Sequence, residues 1–242
     1  MSANDIEFYN GNLILCGTYK EELIIDTGFD SDTIQGSSSI FYSFIVKIVQ
    51  DENIDWLKSI STNNNSSRIN RIAADNTGYY LGGTLVGTMN FDVGDKSSLN
   101  GSFDNFIYRI DNSGNGVWIR SISGTGSENL ASLKTDLYNN VYLLGNYTSP
   151  EVLLDSTATD ISKIIGNSGG WDTYLLKFNR SGVLQWSIRK GGTLLDAYND
   201  FAIFGEIIYA TGTYTDEIIF NQDTLKSINL NQDIFLAALN NI

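Results

Sequence analysis

Four apolar runs along the chain each end in a glycine that is followed by a small polar residue. The glycines are Gly17, Gly83, Gly145 and Gly212, so successive copies lie 66, 62 and 67 residues apart. The runs before them are short and apolar at nearly every position, which is typical of β-strands that pack on both faces. The pattern therefore predicts a strand unit that is repeated four times.

Two further segments recur after each glycine, and a third follows the first three glycines. The second segment begins with a polar residue and ends in Asp or Asn, at 22–26, 88–92, 151–155 and 217–221. The third carries an aromatic residue at its third position, at 42–47, 104–109, 172–177 and 233–238. The fourth carries Trp56, Trp118 or Trp186 and has no counterpart in the last copy. Four short strands in a repeat of this length, without a helical period, are typical of a propeller blade.

The prediction is an all-β fold, a β-propeller of four repeats of about 60–68 residues in one domain spanning 1–242. The blades are four-stranded and fall at roughly 4–66, 67–128, 129–196 and 197–242, and the last lacks its outer strand. The first inner strand is expected to begin at about Ile6, which leaves no spare N-terminal strand to complete the last blade. An arc of a larger or dimeric propeller is the alternative, with a strand edge near Ile234 and Leu239 open to self-association.

The segment from Trp171 to Thr193 resembles the bacterial β-propeller repeat family known as SBBP. It reads Trp-Asp-Thr-Tyr-Leu-Leu-Lys-Phe-Asn-Arg-Ser-Gly-Val-Leu-Gln-Trp and continues to Gly-Gly-Thr. The resemblance covers nearly the whole chain, although the first and last copies match less well. It implies a non-catalytic propeller that is exported or surface-borne in a bacterium or a phage, and it assigns no catalytic residue.

Charge and composition narrow the functional classes. The net charge is −13, which disfavours nucleic-acid and membrane-surface partners, and no apolar run has the length of a membrane span. Histidine is absent, which removes the commonest general base and metal ligand. Cys16 is the only cysteine, so no internal disulfide forms. The expectation is a protein without enzymatic activity, cofactor or metal.

The N-terminal residues lack the basic start and apolar middle of a signal peptide. The chain therefore either acts where it is made or has lost its signal. An extracellular, cell-surface or virion location is favoured over a cytoplasmic one, in line with the resemblance.

Long polar segments between the second and third predicted strands are expected to lie on one face, at 27–41, 93–103, 156–171 and 222–232. Loops on a rigid frame commonly carry recognition. Three aromatic residues, Phe41, Phe103 and Trp171, stand before the third strands and could stack on sugar rings. Candidate hydrogen-bonding groups beside them are Asp172, Glu128, Asn129 and Asp196. The alternative is that these rings wedge between blades, whereas the repeated Trp56, Trp118 and Trp186 are expected to be structural.

Two other chemistries have weaker support. The segment 111–116 offers oxygen ligands at calcium-loop spacing, but position twelve is Ile122, so a hairpin turn is favoured. Glu128 and Asp196 could form a carboxylate pair for glycoside hydrolysis. The preferred hypothesis is a binding or scaffold module for a protein or a glycan, acting through the long-loop face. The alternatives are a structural building block of a virion, appendage or cell surface and, with less support, a glycan-active enzyme.

Overall fold

A computed structural model describes residues 1–157, 160–167, 169–220, 223–229 and 231–240. The predicted loops 156–171 and 222–232 lie partly outside these residues. The chain forms two compact units, 1–121 and 122–242, and each is described by itself.

The first unit contains eleven strands and the beginning of a twelfth. They are β1 (Ser2–Tyr9), β2 (Asn12–Tyr19), β3 (Glu22–Asp26), β4 (Ser31–Gln35), β5 (Tyr42–Ile48), β6 (Ile54–Thr62), β7 (Arg68–Asp75), β8 (Gly78–Leu85), β9 (Thr88–Asn90), β10 (Lys96–Ser97), β11 (Asp104–Asp111) and β12 (Gly116–Gly124). A 3₁₀ turn, Leu99–Gly101, precedes β11.

These strands form two meanders with a hairpin inserted into each. The first meander has the order β1-β2-β5-β6, and the second has the order β7-β8-β11-β12. Hairpin β3–β4 lies between β2 and β5 in sequence, and hairpin β9–β10 lies between β8 and β11. Strand β9 pairs with the end of β6, so the second inserted hairpin extends the sheet of the first meander.

The second unit repeats this plan. Its strands are β13 (Glu128–Thr135), β14 (Val141–Tyr147), β15 (Glu151–Thr157), β16 (Asp160–Ile165), β17 (Asp172–Phe178), β18 (Leu184–Lys190), β19 (Ala197–Phe204), β20 (Ile207–Thr215), β21 (Glu217–Phe220), β22 (Asp223–Lys226) and β23 (Gln232–Asn240). The third meander is β13-β14-β17-β18 and the fourth is β19-β20-β23, with hairpins β15–β16 and β21–β22 inserted. Strand β15 pairs with the last three residues of β12.

The sequence prediction located three strands in each of the first three meanders and two in the fourth, and it missed the first strand of every meander. Strands β7, β13 and β19 fall mostly in stretches to which the sequence interpretation assigned no element, and β1 overlaps the expected start of an inner strand at about Ile6. In each of them a β-bulge shifts the register, as between Ala3 and Asp5, so the period-2 alternation is broken. The predicted second strands are instead the first strands of the inserted hairpins, whose return strands occupy the segments expected to be long loops.

A contact between glycine and an aromatic ring recurs in all four meanders. The repeated glycine of the second strand pairs directly with the aromatic residue of the third strand. The pairs are Gly17 with Phe44, Gly83 with Phe106, Gly145 with Tyr174 and Gly212 with Phe235. A Cβ on Gly83 would lie 2.9 Å from the Phe106 ring and would also collide with the carbonyl oxygen of Arg68. Only glycine lets the ring and the neighbouring strand approach this closely.

Each meander has two distinct faces. We call the A-face the side that carries the residue before the repeated glycine, such as Cys16, and the B-face the side that carries the glycine and its aromatic partner. In the first unit, A-face residues Ile14, Cys16 and Ile45 of the first meander share a buried cluster with B-face residues of the second. Those B-face residues are Ile72, Ala74, Tyr79, Leu81, Phe106 and Tyr108.

The second unit packs in the same way. A-face residues Tyr142, Leu144 and Leu175 of the third meander share a buried cluster with the B-face of the fourth. Its B-face members are Phe201, Ile208, Ala210, Phe235, Ala237 and Leu239. Face-to-face packing of meanders through their A- and B-faces is therefore the common construction of both units.

The tryptophan strands pack their rings against tyrosines, as their repetition predicted. The ring centroids of Trp56 and Tyr79 are 6.2 Å apart, those of Trp118 and Tyr80 are 6.0 Å apart, and those of Trp186 and Tyr142 are 5.9 Å apart. These distances suit edge-to-face or tilted aromatic pairs. The Trp56 indole N–H also donates to the carbonyl oxygen of Asn112 at 3.1 Å.

An all-β architecture with several antiparallel sheets is consistent with a β-propeller-like fold. Among the described residues, the structure contains no helix with the length and hydropathy of a transmembrane span.

The glycine contact generates a stability prediction. We expect Gly83→Ala to lower the free energy of unfolding of the protein by about 3 kcal/mol, because the added methyl group overpacks a site bounded by backbone and a buried ring. Gly101→Ala is the matched control, since Gly101 has a φ of 74° but no atom within 4 Å of the place that an added methyl group would take. The control should lose only about 1 kcal/mol. Urea unfolding of both variants measures the difference, and equal losses would contradict the role assigned to the contact.

Candidate functional site

Two loop segments of the second unit lie against each other and contain three of the residues singled out from the sequence. We call the segments 169–172 and 191–196 the loop pair. The N–H of Gly170 donates to the carbonyl oxygen of Leu194 at 3.2 Å, and the N–H of Asp196 donates to that of Trp171 at 2.9 Å. These main-chain hydrogen bonds join the segment before β17 to the segment before β19.

The side-chain amide of Asn167 joins the loop pair to the end of β14. Its Nδ2 donates to the carbonyl oxygens of Tyr147 and Gly170, both at 3.1 Å. A Cβ on Gly169 would collide with the carbonyl oxygen of Thr193. The close approach of the two segments therefore depends on glycine at that position.

Two buried carboxylates lie within the loop pair. Asp172 and Asp196 have no exposed surface. Oδ2 of Asp172 is 3.0 Å from Nη1 of Arg189, which places a guanidinium against this carboxylate. Asp196 accepts hydrogen bonds from the N–H groups of Gly192 and Thr215, the latter at 3.3 Å. Both side chains thus hold the local backbone and the neighbouring strands in place.

Burial raises the pKa of Asp196 from an ordinary value of 3.8 to about 6. The two N–H donors oppose this shift, and the negative charges of Asp172 and Asp216 reinforce it. A desolvated carboxyl group next to like charges favours its neutral form. The loop pair therefore contains a group that changes its protonation state at mildly acidic pH.

The outer surface of the loop pair carries apolar side chains. Trp171 is half-buried, while Leu194 and Leu195 are 37% and 51% exposed. The sequence interpretation missed both leucines. The available signal was a pair of adjacent leucines in a polar turn, where a solvated loop would carry polar residues.

The structure places Glu128 and Asn129 at the beginning of β13. Glu128 is buried and accepts a hydrogen bond from the Ser149 hydroxyl, whereas Asn129 is exposed. Asp196 has a different set of partners, the N–H groups of Gly192 and Thr215. Each of the two acids proposed as a hydrolytic pair is thus engaged in its own local hydrogen bonds.

Phe41 and Phe103 belong to the first unit, and each directly precedes a third strand, as Trp171 does in the second unit. Phe41 is half-buried, with its N–H donating to Oδ1 of Asn65 at 2.9 Å and the Lys20 ammonium 4.4 Å from its ring centroid. Phe103 is 46% exposed. Next to it, buried Asp104 accepts the N–H of Leu99 at 2.6 Å and the hydroxyl of Ser102 at 2.8 Å.

The segment 111–116 forms a hairpin turn between β11 and β12. Oδ1 of Asp111 accepts the N–H groups of Ser113 and Asn115, both at 2.9 Å. Although burial acts to raise it, these hydrogen bonds lower the pKa of Asp111 below its ordinary value. The carboxylate thus closes its own turn, and within the described residues no cluster of three or more acidic or cysteine side chains is arranged to hold a metal ion.

The first unit also contains a cavity that the sequence interpretation did not foresee. Its volume is about 260 Å³, and polar side chains in its lining include Lys58, Asn90, Asp92 and Tyr108. The Tyr108 hydroxyl donates to Oδ1 of Asp92, and the N–H of Gly116 donates to Oδ2 of the same carboxylate at 2.9 Å. Because the Asp92 carboxylate is occupied in this way, the cavity wall is held by internal hydrogen bonds.

Comparison with known proteins gives one distant likeness. An uncharacterised WD repeat-containing protein of Acanthamoeba polyphaga mimivirus is 21% identical to the chain over 159 residues. The match covers 65% of this chain and 11% of the length of that protein. No protein-family model matches the chain, so the SBBP resemblance stays a prediction. The likeness supports a repeat protein with a β-propeller-like fold.

The buried carboxyl group of Asp196 generates a prediction about pH. Its pKa is higher in the folded state, about 6, than in an unfolded chain, about 3.9. The folded state therefore binds more protons between these values, and this residue's contribution to stability falls as pH rises from about 4 to 6. Above pH 6 the contribution is constant.

We expect Asp196→Asn to remove this contribution, because an amide carbonyl still accepts an N–H and does not titrate. The measurement is the free energy of unfolding in urea at several pH values for both proteins. The gain of the variant over the original protein should grow between pH 4 and pH 6 and then level off. A difference that does not change with pH would contradict the assignment.

Proposed function

We propose that the chain is a non-enzymatic scaffold module of the β-propeller type, with four repeats, that binds a protein partner through the loop pair. The observation that carries the proposal is the exposed apolar surface of Trp171, Leu194 and Leu195 on a hydrogen-bonded frame. A distant likeness to a WD repeat protein fits a protein-binding scaffold in general.

Rigidity favours this surface as a recognition site. The cross-loop hydrogen bonds of Gly170 and Asp196 and the Asn167 amide fix the backbone before any partner arrives. A surface that is already ordered loses little conformational entropy on binding. Tryptophan and neighbouring aliphatic side chains at the centre of such a surface commonly contribute most of the binding energy.

Charge indicates what the partner should offer around its apolar centre. The chain has a net charge of −13. Asp216 and Glu217 directly follow Thr215, the last residue of β20, whose N–H donates to Asp196. A basic rim on the partner would be attracted at long range and would speed association. We therefore propose a partner with an apolar patch bordered by lysine or arginine.

The candidate acidic residues each make contacts that hold the fold. Asp172 and Arg189 form an ion pair, and Asp196 and Glu128 bind backbone or hydroxyl donors. These groups are used in holding the fold, which is why we propose binding without catalysis. Turnover on glycan substrates that is lost in Glu128→Gln or Asp196→Asn would contradict this part of the proposal.

The decisive experiment compares capture by the original chain and by Leu194→Ser/Leu195→Ser. Both proteins are immobilised and exposed to an extract of the source organism, and captured proteins are quantified. We expect specific partners to fall at least about tenfold in the double variant, which corresponds to about 1.4 kcal/mol. Circular dichroism and thermal unfolding check that the variant is folded.

Leu137→Ser is the matched control, because Leu137 is 98% exposed in the turn between β13 and β14. It should capture the same partners as the original chain. Equal capture by all three proteins would contradict the proposed surface. Glycan-array binding that is lost in Trp171→Ala would instead identify a sugar as the ligand.

A further inference from the structure

The fourth meander exposes an A-face that its counterparts bury. In the first and third meanders, Ile45 and Leu175 are 1% and 0% exposed at equivalent positions of the third strand. The equivalent residue of the fourth meander, Leu236, is 74% exposed, and Ile234 beside it is 82% exposed. Tyr209 on the neighbouring strand β20 is exposed on the same face.

The equivalence follows from strand register. Phe44, Tyr174 and Phe235 each pair with a repeated glycine, and the residue after each of them is Ile45, Leu175 or Leu236. Ile45 and Leu175 belong to the two buried clusters that join neighbouring meanders. Leu236 therefore occupies a position that, elsewhere in this chain, is covered by the B-face of another meander.

The first meander exposes the matching part of its B-face. Ile6 pairs with Leu15 and Phe8 pairs with Leu13, which places both side chains on the B-face. Their counterparts in the second meander, by register, are Ile72 and Ala74, and both are buried against the A-face of the first meander. Phe8 itself is 69% exposed and Ile6 is 56% exposed.

Only part of this B-face is covered within the first unit. Hairpin β3–β4 supplies Leu23, which packs in a cluster with Tyr19, Phe44 and Val46. The cluster covers the third-strand side of the sheet and leaves the β1 side, with Ile6 and Phe8, in contact with solvent. Exposed aromatic and aliphatic residues that form a continuous patch mark interaction surfaces.

We infer that the A-face of the fourth meander binds the B-face of the first meander of a second copy of the chain. This inference goes beyond the proposed function, since it involves neither the loop pair nor an external partner. A second copy is the partner that these faces fit, because both units already pack an A-face on a B-face through equivalent residues. The surface that fits Leu236 and Ile234 is therefore the exposed B-face of a first meander.

The contact joins two different surfaces, so it is heterologous. In a closed dimer, the A-face of each copy binds the B-face of the other copy, so the dimer has two equivalent interfaces. Apolar burial of two sheet faces supplies the driving force.

Sedimentation velocity on the purified chain tests the inference. We expect the original protein to self-associate, and we expect Leu236→Asp and Phe8→Asp to weaken self-association at least about tenfold each. Both positions are exposed, so a charge there should not disturb folding. Circular dichroism and thermal unfolding of each variant check this. Leu137→Asp, on an exposed turn and on neither face, should associate as the original protein does.

Mixing the two variants separates the proposed contact from a symmetric one. Leu236→Asp retains an intact B-face, and Phe8→Asp retains an intact A-face. An equimolar mixture should therefore regain a dimer with one intact interface and should associate more strongly than either variant alone. Dimers of Phe8→Asp alone would show that the β23 face binds itself and would overturn the inference. A strictly monomeric original protein would overturn it as well.

Discussion

The close contact between a glycine of the second strand and an aromatic ring of the third strand is the constraint on which the meanders depend. At each of the four positions the ring lies over a backbone without a side chain, as Phe106 does over Gly83. The first strand approaches the same glycine from the other side, and its register shifts by a bulge just beyond it, between Ile69 and Arg71 in the second meander. One residue type thus fixes the positions of three strands at once.

The bulges have a second effect, because main-chain groups beside them bind polar side chains of the neighbouring meander. In the first unit, Oδ2 of Asp5 accepts the N–H of Ile72 at 2.8 Å, and the Asn4 amide donates to the carbonyl oxygen of Ile69 at 2.7 Å. In the second unit, the Asn146 amide exchanges two hydrogen bonds with the backbone of Tyr198. Buried main-chain groups freed by the bulges are therefore hydrogen-bonded. The apolar faces can then pack without the free-energy cost of burying unpaired polar groups.

The sequence predicted those strands whose signal is local. Glycine spacing, the aromatic residue of the third strand and the repeated tryptophans located three strands in each of the first three meanders and two in the fourth. They could do so because short apolar runs and turn residues are properties of neighbouring positions. The first strands were missed because they are half-exposed, as β1 is, and interrupted by bulges. The inserted hairpins were interpreted as single strands with long loops, since β4 and β10 are polar and short. Of the residues proposed from the sequence, Trp171, Asp172 and Asp196 lie in the loop pair. Leu194 and Leu195 were not foreseen, because the two segments meet only through tertiary hydrogen bonds.

The burial of Cys16 determines how the protein responds to oxidants and to thiol reagents. Its side chain has no exposed surface, and burial, reinforced by the charge of Asp5, raises the pKa of the thiol to about 12. Nucleophilic sulfur chemistry requires the thiolate, which is then scarce at physiological pH. Sulfenic acid formation and disulfide exchange at Cys16 consequently require that the first meander open, so a modified Cys16 is a chemical record of unfolding in that part of the protein.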